Sequence, residues 1–487
     1  MIRPGNKLLK RMIAICISLM VFMSTASSVV FAAPDDVTIY NSTVDFKHFA
    51  FQLNPDNSMQ SYNQSTQVTQ VFNTKVIENQ YLKVTLLPDY GGRILSIIYK
   101  PTGHDLLYQN PVGTPYGMGA GNFYYNWLMV YGGIFPTFNE PEHGKYWLTP
   151  WTATVTVNTP DKVSVEMKRT DDVNFAGRPS KFNNGKSDIQ ATATVTVYKN
   201  KSYVDLNMKL VNTKTSAVTY EYWTCTTLAP GGNPQNMKMV VPMDEIKVKS
   251  DWYPWMATVD QAVDAPNRIY KYKNLALFSN WQNAGIAYAK PGGLKENWWG
   301  AINTGNNEGV LRIADNQTAT TGLKLWTWGY SQSYAANPNN FSSVARPYVE
   351  MWGGTSEEFF VDATLQPNQT KQWSEYYIPT VGLSDVTSSN QNAAALLTVS
   401  TAGGNATFNA NASTTSPGQT YSATLSLTGA NNYSLLQQNF VASATSSTLL
   451  SASKSLSSIA SGTYSFEYVL KDTSGNELFK TKIPFVK

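Results

Sequence analysis

The chain has 487 residues, of which 14% are charged and 13% are aromatic. Its formal net charge is +4 at pH 7, but four of the 37 basic residues lie at or before Arg11, and the rest of the chain carries 33 basic and 33 acidic residues. Nucleic acids and anionic membranes attract basic surfaces, and a chain without net charge provides no such surface overall. We therefore expect neither nucleic acid nor a membrane surface as a partner.

Residues 1–32 are predicted to form a secretory signal peptide. A basic segment is followed by the apolar run 12–23 and by the small-residue cleavage pattern Val30-Phe31-Ala32, which is the order typical of such peptides. Cleavage there would make Ala33 the mature N-terminus and send the protein to the extracellular space. The rest of the chain has no run of about 20 apolar residues, which a membrane-spanning helix requires.

Cys225 is the only cysteine that remains after this cleavage, because Cys16 lies in the apolar run. An intramolecular disulfide and a cysteine-based zinc cluster are therefore excluded. No histidine flanks Cys225 in the sequence, so we expect a small buried apolar residue in preference to a catalytic thiol.

Alternation of apolar and polar residues predicts β-strands along most of the chain. The runs with this period are 76–87, 94–99, 163–167, 189–198 and 203–210. Turn residues at 199–202 predict an antiparallel hairpin, and Asp89-Tyr90-Gly91-Gly92 predicts a tight turn before the strand at 94–99. Because no long amphipathic helix is found, we predict an all-β fold with a large antiparallel sandwich.

The composition predicts two folded domains after the signal peptide. All 13 tryptophans lie between Trp127 and Trp373, and small polar residues dominate after Gly382. We place the main β-sandwich at 33–383, a linker at 384–394, and an immunoglobulin-like accessory sandwich of about seven short strands at 395–487. This accessory sandwich is interpreted as a structural module or spacer, and binding to a polymer or cell wall is the alternative.

The segment 132–151, GGIFPTFNEPEHGKYWLTPW, concentrates residues suited to sugar chemistry. It contains one of only three histidines, His143, next to Glu140 and Glu142 and close to Trp147 and Trp151. Imidazole transfers protons near neutral pH, and flat aromatic rings fit the apolar faces of sugars. The alternative is an ordinary surface loop whose histidine is hydrogen-bonded locally.

A second set of candidates lies near the end of the main domain. Trp326 and Trp328 belong to an aromatic strand, and Tyr348, Glu350 and Trp352 would share one face of another strand because side chains alternate there. A carboxylate among aromatic rings needs a partner or a function. We consider both a buried ion pair of Glu350 with Arg346 and a role for Glu350 in chemistry.

An ordered set of motifs resembles a galactose mutarotase-like family of unknown function within the aldose-epimerase superfamily. In chain order the motifs are ENQYLKVTLLP at 78–88, GGRI at 91–94, YQNP at 108–111, the segment 132–151, WWG at 298–300, IAD at 313–315, WTWG at 326–329, PYVE at 347–350, LQP at 365–367 and YIP at 377–379. The resemblance covers about residues 40–380. It implies a β-supersandwich, a two-layer antiparallel fold that domains of several polysaccharide lyases and glycosidases share.

The same resemblance implies a histidine as general acid and a later glutamate as general base, and His143 and Glu350 occur in that order. Anomer exchange needs such a pair, but other reactions stay open. A lyase would need a cation for the uronate, from Arg93 or Arg346. A hydrolase would need a second carboxylate near Glu350, from Glu142 or Glu221.

We therefore predict a secreted carbohydrate-active enzyme that acts on a poly- or oligosaccharide, of lyase, hydrolase or epimerase type. The catalytic candidates are His143 and Glu350, and the substrate-binding candidates are Arg93, Glu142, Trp147, Trp326, Trp328, Tyr348 and Trp352. The alternative is a non-catalytic carbohydrate-binding protein. No cofactor or metal is expected, and Asp171-Asp172 gives only a weak signal for calcium.

Overall fold

The computed structural model of the protein describes residues 36–56, 59–109, 114–115, 128–129, 132–139, 143–174, 185–329 and 348–487. The predicted signal peptide lies outside these residues and stays a prediction. Within the described ranges, strands form nearly all of the regular structure, and the helical turns are short 3-10 segments at Pro234–Asn236, Pro254–Thr258, Phe278–Asn280 and Leu456–Ser458.

The main domain contains the first 25 strands of the described ranges. They are β1 (Thr38–Leu53), β2 (Met59–Glu78), β3 (Leu82–Leu87), β4 (Arg93–Tyr99), β5 (His104–Asp105), β6 (Thr114–Pro115), β7 (Leu128–Met129), β8 (Ile134–Phe138), β9 (Thr152–Asn158), β10 (Lys162–Thr170), β11 (Gln190–Tyr198), β12 (Val204–Val211), β13 (Val218–Tyr220), β14 (Tyr222–Leu228), β15 (Met237–Val240), β16 (Glu245–Val248), β17 (Ala262–Asp264), β18 (Ile269–Lys271), β19 (Gly285–Ala289), β20 (Trp298–Asn303), β21 (Glu308–Ala314), β22 (Gly322–Thr327), β23 (Val349–Gly354), β24 (Ala363–Leu365) and β25 (Thr370–Val381).

Two large antiparallel sheets form the framework of this domain. The large sheet has 13 strands in the order β1-β2-β3-β4-β8-β14-β23-β22-β19-β16-β18-β17, with β5 paired to β4. The second sheet has eight strands in the order β15-β20-β21-β25-β12-β11-β10-β9. Two small pairs, β13-β24 and β6-β7, complete the topology. The predicted all-β class and antiparallel sandwich are therefore confirmed.

The main core lies between the two sheets. It combines apolar side chains of the large sheet, such as Val84 and Leu86, with those of the second sheet, such as Val163, Val165 and Met167. Alternate residues of each strand point into this layer because strand side chains have a period of two. Burial of this apolar surface is the main source of stability in such a sandwich.

The predicted hairpin of residues 189–198 and 203–210 is confirmed by β11 and β12, with Val197 opposite Val204. The single strand predicted at 76–87 is wrong, because β2 ends at Glu78 and β3 begins at Leu82. Asn79 causes the break: its side-chain Oδ1 accepts hydrogen bonds from the backbone N–H groups of Tyr81 and Leu82. Asparagine stabilises turns in this way.

The opposite face of the large sheet carries a second apolar cluster that contains no strand of the second sheet. We call its ring-bearing residues the aromatic face. They are Phe46, Phe72, Tyr90, Tyr108, Phe135, Trp147, Trp223, Tyr288, Trp326, Trp328, Tyr348, Trp352 and Phe359. Cys225 is fully buried in this cluster, as predicted from the sequence.

A small sandwich follows the main domain. Its strands are β26 (Ser388–Asn390), β27 (Ala393–Ala402), β28 (Asn405–Thr414), β29 (Thr420–Gly429), β30 (Tyr433–Val441), β31 (Thr448–Ser455), β32 (Thr463–Lys471) and β33 (Glu477–Val486). They form two four-stranded sheets, β26-β27-β28-β31 and β30-β29-β32-β33, around a separate core. The predicted linker at 384–394 thus contains β26 and the start of β27, because its small polar residues pair with the next strand.

The small sandwich packs against the outer face of the second sheet. Trp298, Ile313 and Ile378 share an apolar cluster with Leu383 and Ala394 at this junction. Polar contacts support it, since the Tyr81 hydroxyl donates to the Pro417 carbonyl at 2.8 Å and Lys201 Nζ donates to Ser416 Oγ at 2.7 Å.

Candidate functional site

The turn between β3 and β4 places Arg93 under the aromatic face. Gly91 and Gly92 have positive φ angles of 80° and 60°, and a Cβ atom on either would lie within 2.6 Å of Trp147 or Trp151 atoms. Glycine is therefore required at both positions. The turn can then pack tightly against the segment that follows His143.

Arg93 is fully buried and organises this region. Its Nε donates to the Tyr90 carbonyl at 2.8 Å, and its two terminal nitrogens donate to the carbonyls of Gly132 and Trp147 at 3.2 Å each. The guanidinium also lies 4.6 Å from the Phe135 ring centroid. Burial lowers the pKa of Arg93 to about 10, so the group stays charged at neutral pH. These contacts give Arg93 an organising role beneath the site.

A buried ion pair anchors the segment that carries His143 and Trp147. Lys145 Nζ lies 2.5 Å from Asp171 Oδ1, and both side chains are fully enclosed. Asp171 also accepts hydrogen bonds from the Tyr146 hydroxyl and from Ser187, and the Asn139 amide donates to it. Since Asp171 directly follows β10, the pair joins the His143 segment to the end of the second sheet.

Burial alone would raise the pKa of Asp171, but Lys145 and the Ser187 donors outweigh it, so this pKa lies below its ordinary value. The Asp171 carboxylate, which gave a weak signal for calcium in the sequence, is fully buried and is held by Lys145 and its neighbours. Within the described ranges, no three His, Cys, Asp or Glu side chains form a group that could hold a metal ion.

Strand register assembles the centre of the aromatic face from distant parts of the chain. Directly paired residues in antiparallel strands lie on the same face. One row across six strands consists of Phe135, Cys225, Trp352, Lys324, Tyr288 and Lys247. The adjacent row on the same face consists of Thr227, Glu350, Trp326 and Ile286. Trp352 and Glu350 therefore occupy neighbouring rows at the middle of the large sheet.

Glu350 and His143 meet at Trp352. The Trp352 indole Nε1 donates to Glu350 Oε2 at 2.8 Å, and the Tyr348 hydroxyl donates to Glu350 Oε1 at 3.2 Å. The His143 ring stacks on Trp147 with centroids 4.7 Å apart, and its centroid is 5.5 Å from that of Trp352. A half-buried imidazole and a buried carboxylate thus lie at one tryptophan.

The predicted tryptophans and Tyr348 join the same cluster. Trp326 and Trp328 form an edge-to-face pair with centroids 4.3 Å apart. Tyr348 stacks almost parallel on Tyr108 at 4.1 Å. Edge-to-face and stacked geometries are those that aromatic rings prefer. Two other candidates, Glu142 and Arg346, lie outside the described residues, so the ion pair of Arg346 with Glu350 and the role of Glu142 stay predictions.

The structure adds Lys324 to the candidate residues. Its Nζ lies 4.0 Å from the Trp352 ring centroid and 3.9 Å from that of Phe359, and the side chain is buried. A cation over aromatic faces is attracted by the ring quadrupole. The sequence contained a signal for it, because Lys324 and Trp326 are two residues apart on one strand and so share a face.

The comparisons with known proteins agree with this architecture. A family model described as a domain of unknown function, DUF5107, matches residues 51–380. A TPR-domain containing protein from Parabacteroides distasonis is 17% identical with a TM-score of 0.55, and the match covers 71% of this chain and 55% of that protein. This chain therefore spans about half the length of that protein, and the likeness shows a shared fold.

Two further solved structures are similar at lower scores. A galactose mutarotase-like protein from Clostridium acetobutylicum is 11% identical with a TM-score of 0.45, over 71% of this chain and 99% of that one. A putative aldose 1-epimerase from Klebsiella pneumoniae is 12% identical with a TM-score of 0.40, and the match covers 70% of this chain and 91% of that one. Proteins of the group predicted from the sequence motifs are thus among the similar structures. No helix in the described ranges has the length and hydropathy to cross a membrane.

Proposed function

The chain belongs to the DUF5107 family, and we propose that the aromatic face of its large sheet binds a carbohydrate. Aromatic rings provide flat apolar surfaces for sugar rings, and a few polar groups among them fix orientation. Here the polar groups are His143, Glu350 and Lys324. Sugar-related names among the similar structures agree with this proposal but do not carry it.

The observation that carries the proposal is the meeting of His143 and Glu350 at Trp352. The two side chains are 207 positions apart in the chain, and each contacts the same indole. Acid–base chemistry on a sugar needs a proton donor and a proton acceptor that reach one ring. A histidine and a carboxylate at one tryptophan supply both.

We propose that His143 acts as the acid and Glu350 as the base on a poly- or oligosaccharide outside the cell. Imidazole can hold or release a proton near neutral pH. Glu350 accepts hydrogen bonds from Trp352 and Tyr348, and these donors hold the carboxylate in one orientation. Trp326 and Trp328, which are each 9% exposed, would provide the sugar-contacting rings, and Arg93 would hold the buried Trp147 in place behind His143.

A second candidate function is binding without turnover. It is favoured by the burial of Glu350, which is 3% exposed and already accepts hydrogen bonds from Tyr348 and Trp352. In this case the carboxylate would fix the rings of Tyr348 and Trp352, and the aromatic face would hold a glycan without changing it.

A polysaccharide panel tests the proposal. The purified protein is incubated with neutral and uronate-containing polysaccharides, and new reducing ends, unsaturated products and anomer exchange are measured. We expect activity in the wild type and its loss in His143→Ala and Glu350→Gln. His104→Ala and Glu166→Gln are matched controls, because both residues lie outside the aromatic face.

Each outcome of this panel separates the two candidates. Full activity in both His143→Ala and Glu350→Gln would contradict the catalytic assignment. Glycan binding without any product after long incubation would support the binding function. The absence of both binding and product would contradict the carbohydrate proposal altogether.

A further inference from the structure

We propose that a second glycan-binding groove lies between β2 and the turn at residues 88–92, separate from the centre of the aromatic face. We call it the hairpin groove, because β1 and β2 form a long antiparallel hairpin at the edge of the large sheet. The inference rests on the proposed function for its ligand class. It adds that the ligand is a glycan chain long enough to reach two positions.

The first part of the hairpin groove is a cavity of about 310 Å³. Its lining includes the amides of Asn41 and Asn73, Lys75, the carboxylate residue Asp89, and Trp151. Amide and carboxylate groups can bind the hydroxyls of a sugar, and an aromatic residue offers apolar contact. This combination differs from an apolar pocket that would take a lipid or a protein side chain.

The second part is a cavity of about 300 Å³ that adjoins the first. Phe51, Gln70, Phe72 and Tyr90 are among its lining residues. Asp89 lines both cavities, so the two parts meet at this residue. The result is an elongated polar and aromatic groove, which fits consecutive sugar units of one chain.

Three polar groups along the groove have unused hydrogen-bonding capacity. The side chains of Thr74 and Tyr90 line one cavity each and are 2% exposed, and their hydroxyls have no hydrogen-bond partner among the described residues. Within the same ranges the Asp89 carboxylate makes no hydrogen bond or ion pair. Buried hydroxyls without partners are costly. Of the three groups, the Asp89 carboxylate is the accessible one, and a hydroxyl-rich ligand in the groove would donate the hydrogen bonds that this carboxylate lacks.

The hairpin groove is physically connected to the aromatic face. Tyr90 belongs to both, and Leu148, which lines the second cavity, directly follows Trp147. Arg93 binds the carbonyls of Tyr90 and Trp147 at the same time. A glycan chain could therefore extend from the His143 site along Tyr90 into the groove, which would make an oligosaccharide a better ligand than a disaccharide.

Chain-length dependence of binding tests this inference. Dissociation constants are measured by calorimetry for ladders of cello-, xylo- and manno-oligosaccharides from disaccharide to octasaccharide. The full chain is used as wild type, Asp89→Ala, Asn73→Ala and His143→Ala. Asp45→Ala is the matched control, because Asp45 is an exposed aspartate of β1 outside both cavity linings.

We expect wild-type affinity to rise with chain length for at least one ladder. Asp89→Ala should weaken binding of the longer oligosaccharides by roughly tenfold, the size of one hydrogen bond to a charged group, and Asn73→Ala should act in the same direction. Asp45→Ala should bind like the wild type. The loss should be confined to the longer members of the ladder.

The possible failures are distinguishable. If Asp89→Ala and Asn73→Ala both show the same chain-length dependence as the wild type, the groove is contradicted. The proposed function would not be affected by that result. Long oligosaccharides that bind equally well to His143→Ala but not to Asp89→Ala would support the groove and contradict the His143 site. No binding of any ladder to the wild type would overturn the groove, and the polysaccharide panel, which also contains uronate polymers, would then decide the proposed function.

Discussion

The indole nitrogen of Trp352 lies 2.8 Å from Glu350 Oε2, and the two residues are two positions apart on β23. The same hydrogen bond joins Trp223 to Glu221, Trp298 to Glu296 and Trp373 to Glu375, at 2.9, 2.7 and 2.8 Å. Residues at this spacing share one face in extended chain. Only the first of these four indoles also contacts His143 among the described ring pairs.

Trp352→Phe should weaken glycan binding or turnover by roughly tenfold or more. The substitution keeps a ring against His143 but removes the N–H donor of Glu350, and a hydrogen bond to a charged group contributes about 1.5–3 kcal/mol. Trp298→Phe is the matched control, since it removes the same type of hydrogen bond at the junction with the small sandwich. Equal losses of binding in the two variants would count against a specific role for Trp352.

Stability should depend on pH through Asp171. The pKa of Asp171 is lower in the folded protein than its ordinary value of about 3.9, since Lys145 and Ser187 outweigh the effect of burial. The ionised carboxylate therefore stabilises the fold fully above that value, and the contribution is lost as pH falls through the folded-state pKa.

Urea unfolding of the wild type and Asp171→Asn from pH 7 down to about pH 3 measures this contribution. We expect the free energy of unfolding of Asp171→Asn to be about 3–5 kcal/mol lower than that of the wild type at pH 7, the usual cost of leaving a buried charge without its partner. This difference should decrease as pH falls below about 4. A difference of constant size over this range would show that the carboxylate charge is not its cause.

Arg312→Met should destabilise the main domain by about 3–5 kcal/mol, because it leaves the carboxylate of Glu375 buried without its cation. Arg312 Nε lies 2.7 Å from Glu375 Oε2, and both side chains are fully enclosed. Lys238→Met is the control. It breaks an ion pair with Asp385 of the same 2.7 Å length whose side chains are 27% and 42% exposed, so its cost should be about 0–1 kcal/mol. Similar costs for both substitutions would refute the argument from burial.

Leu383→Ala should lower the free energy of unfolding by about 2–5 kcal/mol, as is usual for a buried leucine. Leu383 is fully buried in the cluster between the second sheet and the small sandwich. The same substitution at Leu449, which is 61% exposed on β31, should change stability by only a few tenths of a kcal/mol. Chemical unfolding of both variants would show whether the small sandwich is an integral part of the fold, and a small effect at Leu383 would argue for a loosely attached module.

The sequence predicted the β class and much of the aromatic face because these depend on local alternation. Tyr348, Glu350 and Trp352 share a face with a period of two. The structure places Tyr348 and Trp352 in the same cluster as Trp326, and Glu350 lies opposite Trp326. The residues that lie opposite one another on neighbouring strands are determined by strand register. That Lys324 lies opposite Trp352 follows from the pairing of β22 with β23, which no local pattern specifies.

Two other long-range contacts could not be predicted from local sequence patterns. The β1–β2 hairpin has many polar residues on both faces, so alternation gives little signal there. The partnership of Lys145 with Asp171 joins a loop to a strand end and has no sequence signature. Arg93 was predicted to contact substrate, and its enclosure by three backbone carbonyls is visible only after the turn has packed against Trp147.

A crystal structure with a cleavage-resistant oligosaccharide would show directly whether His143 and Glu350 reach the same sugar. We expect a sugar ring on the aromatic face at Trp352, with His143 and Glu350 both within hydrogen-bonding distance of the same sugar. A ligand bound elsewhere, or one that contacts Trp352 without reaching either side chain, would contradict it.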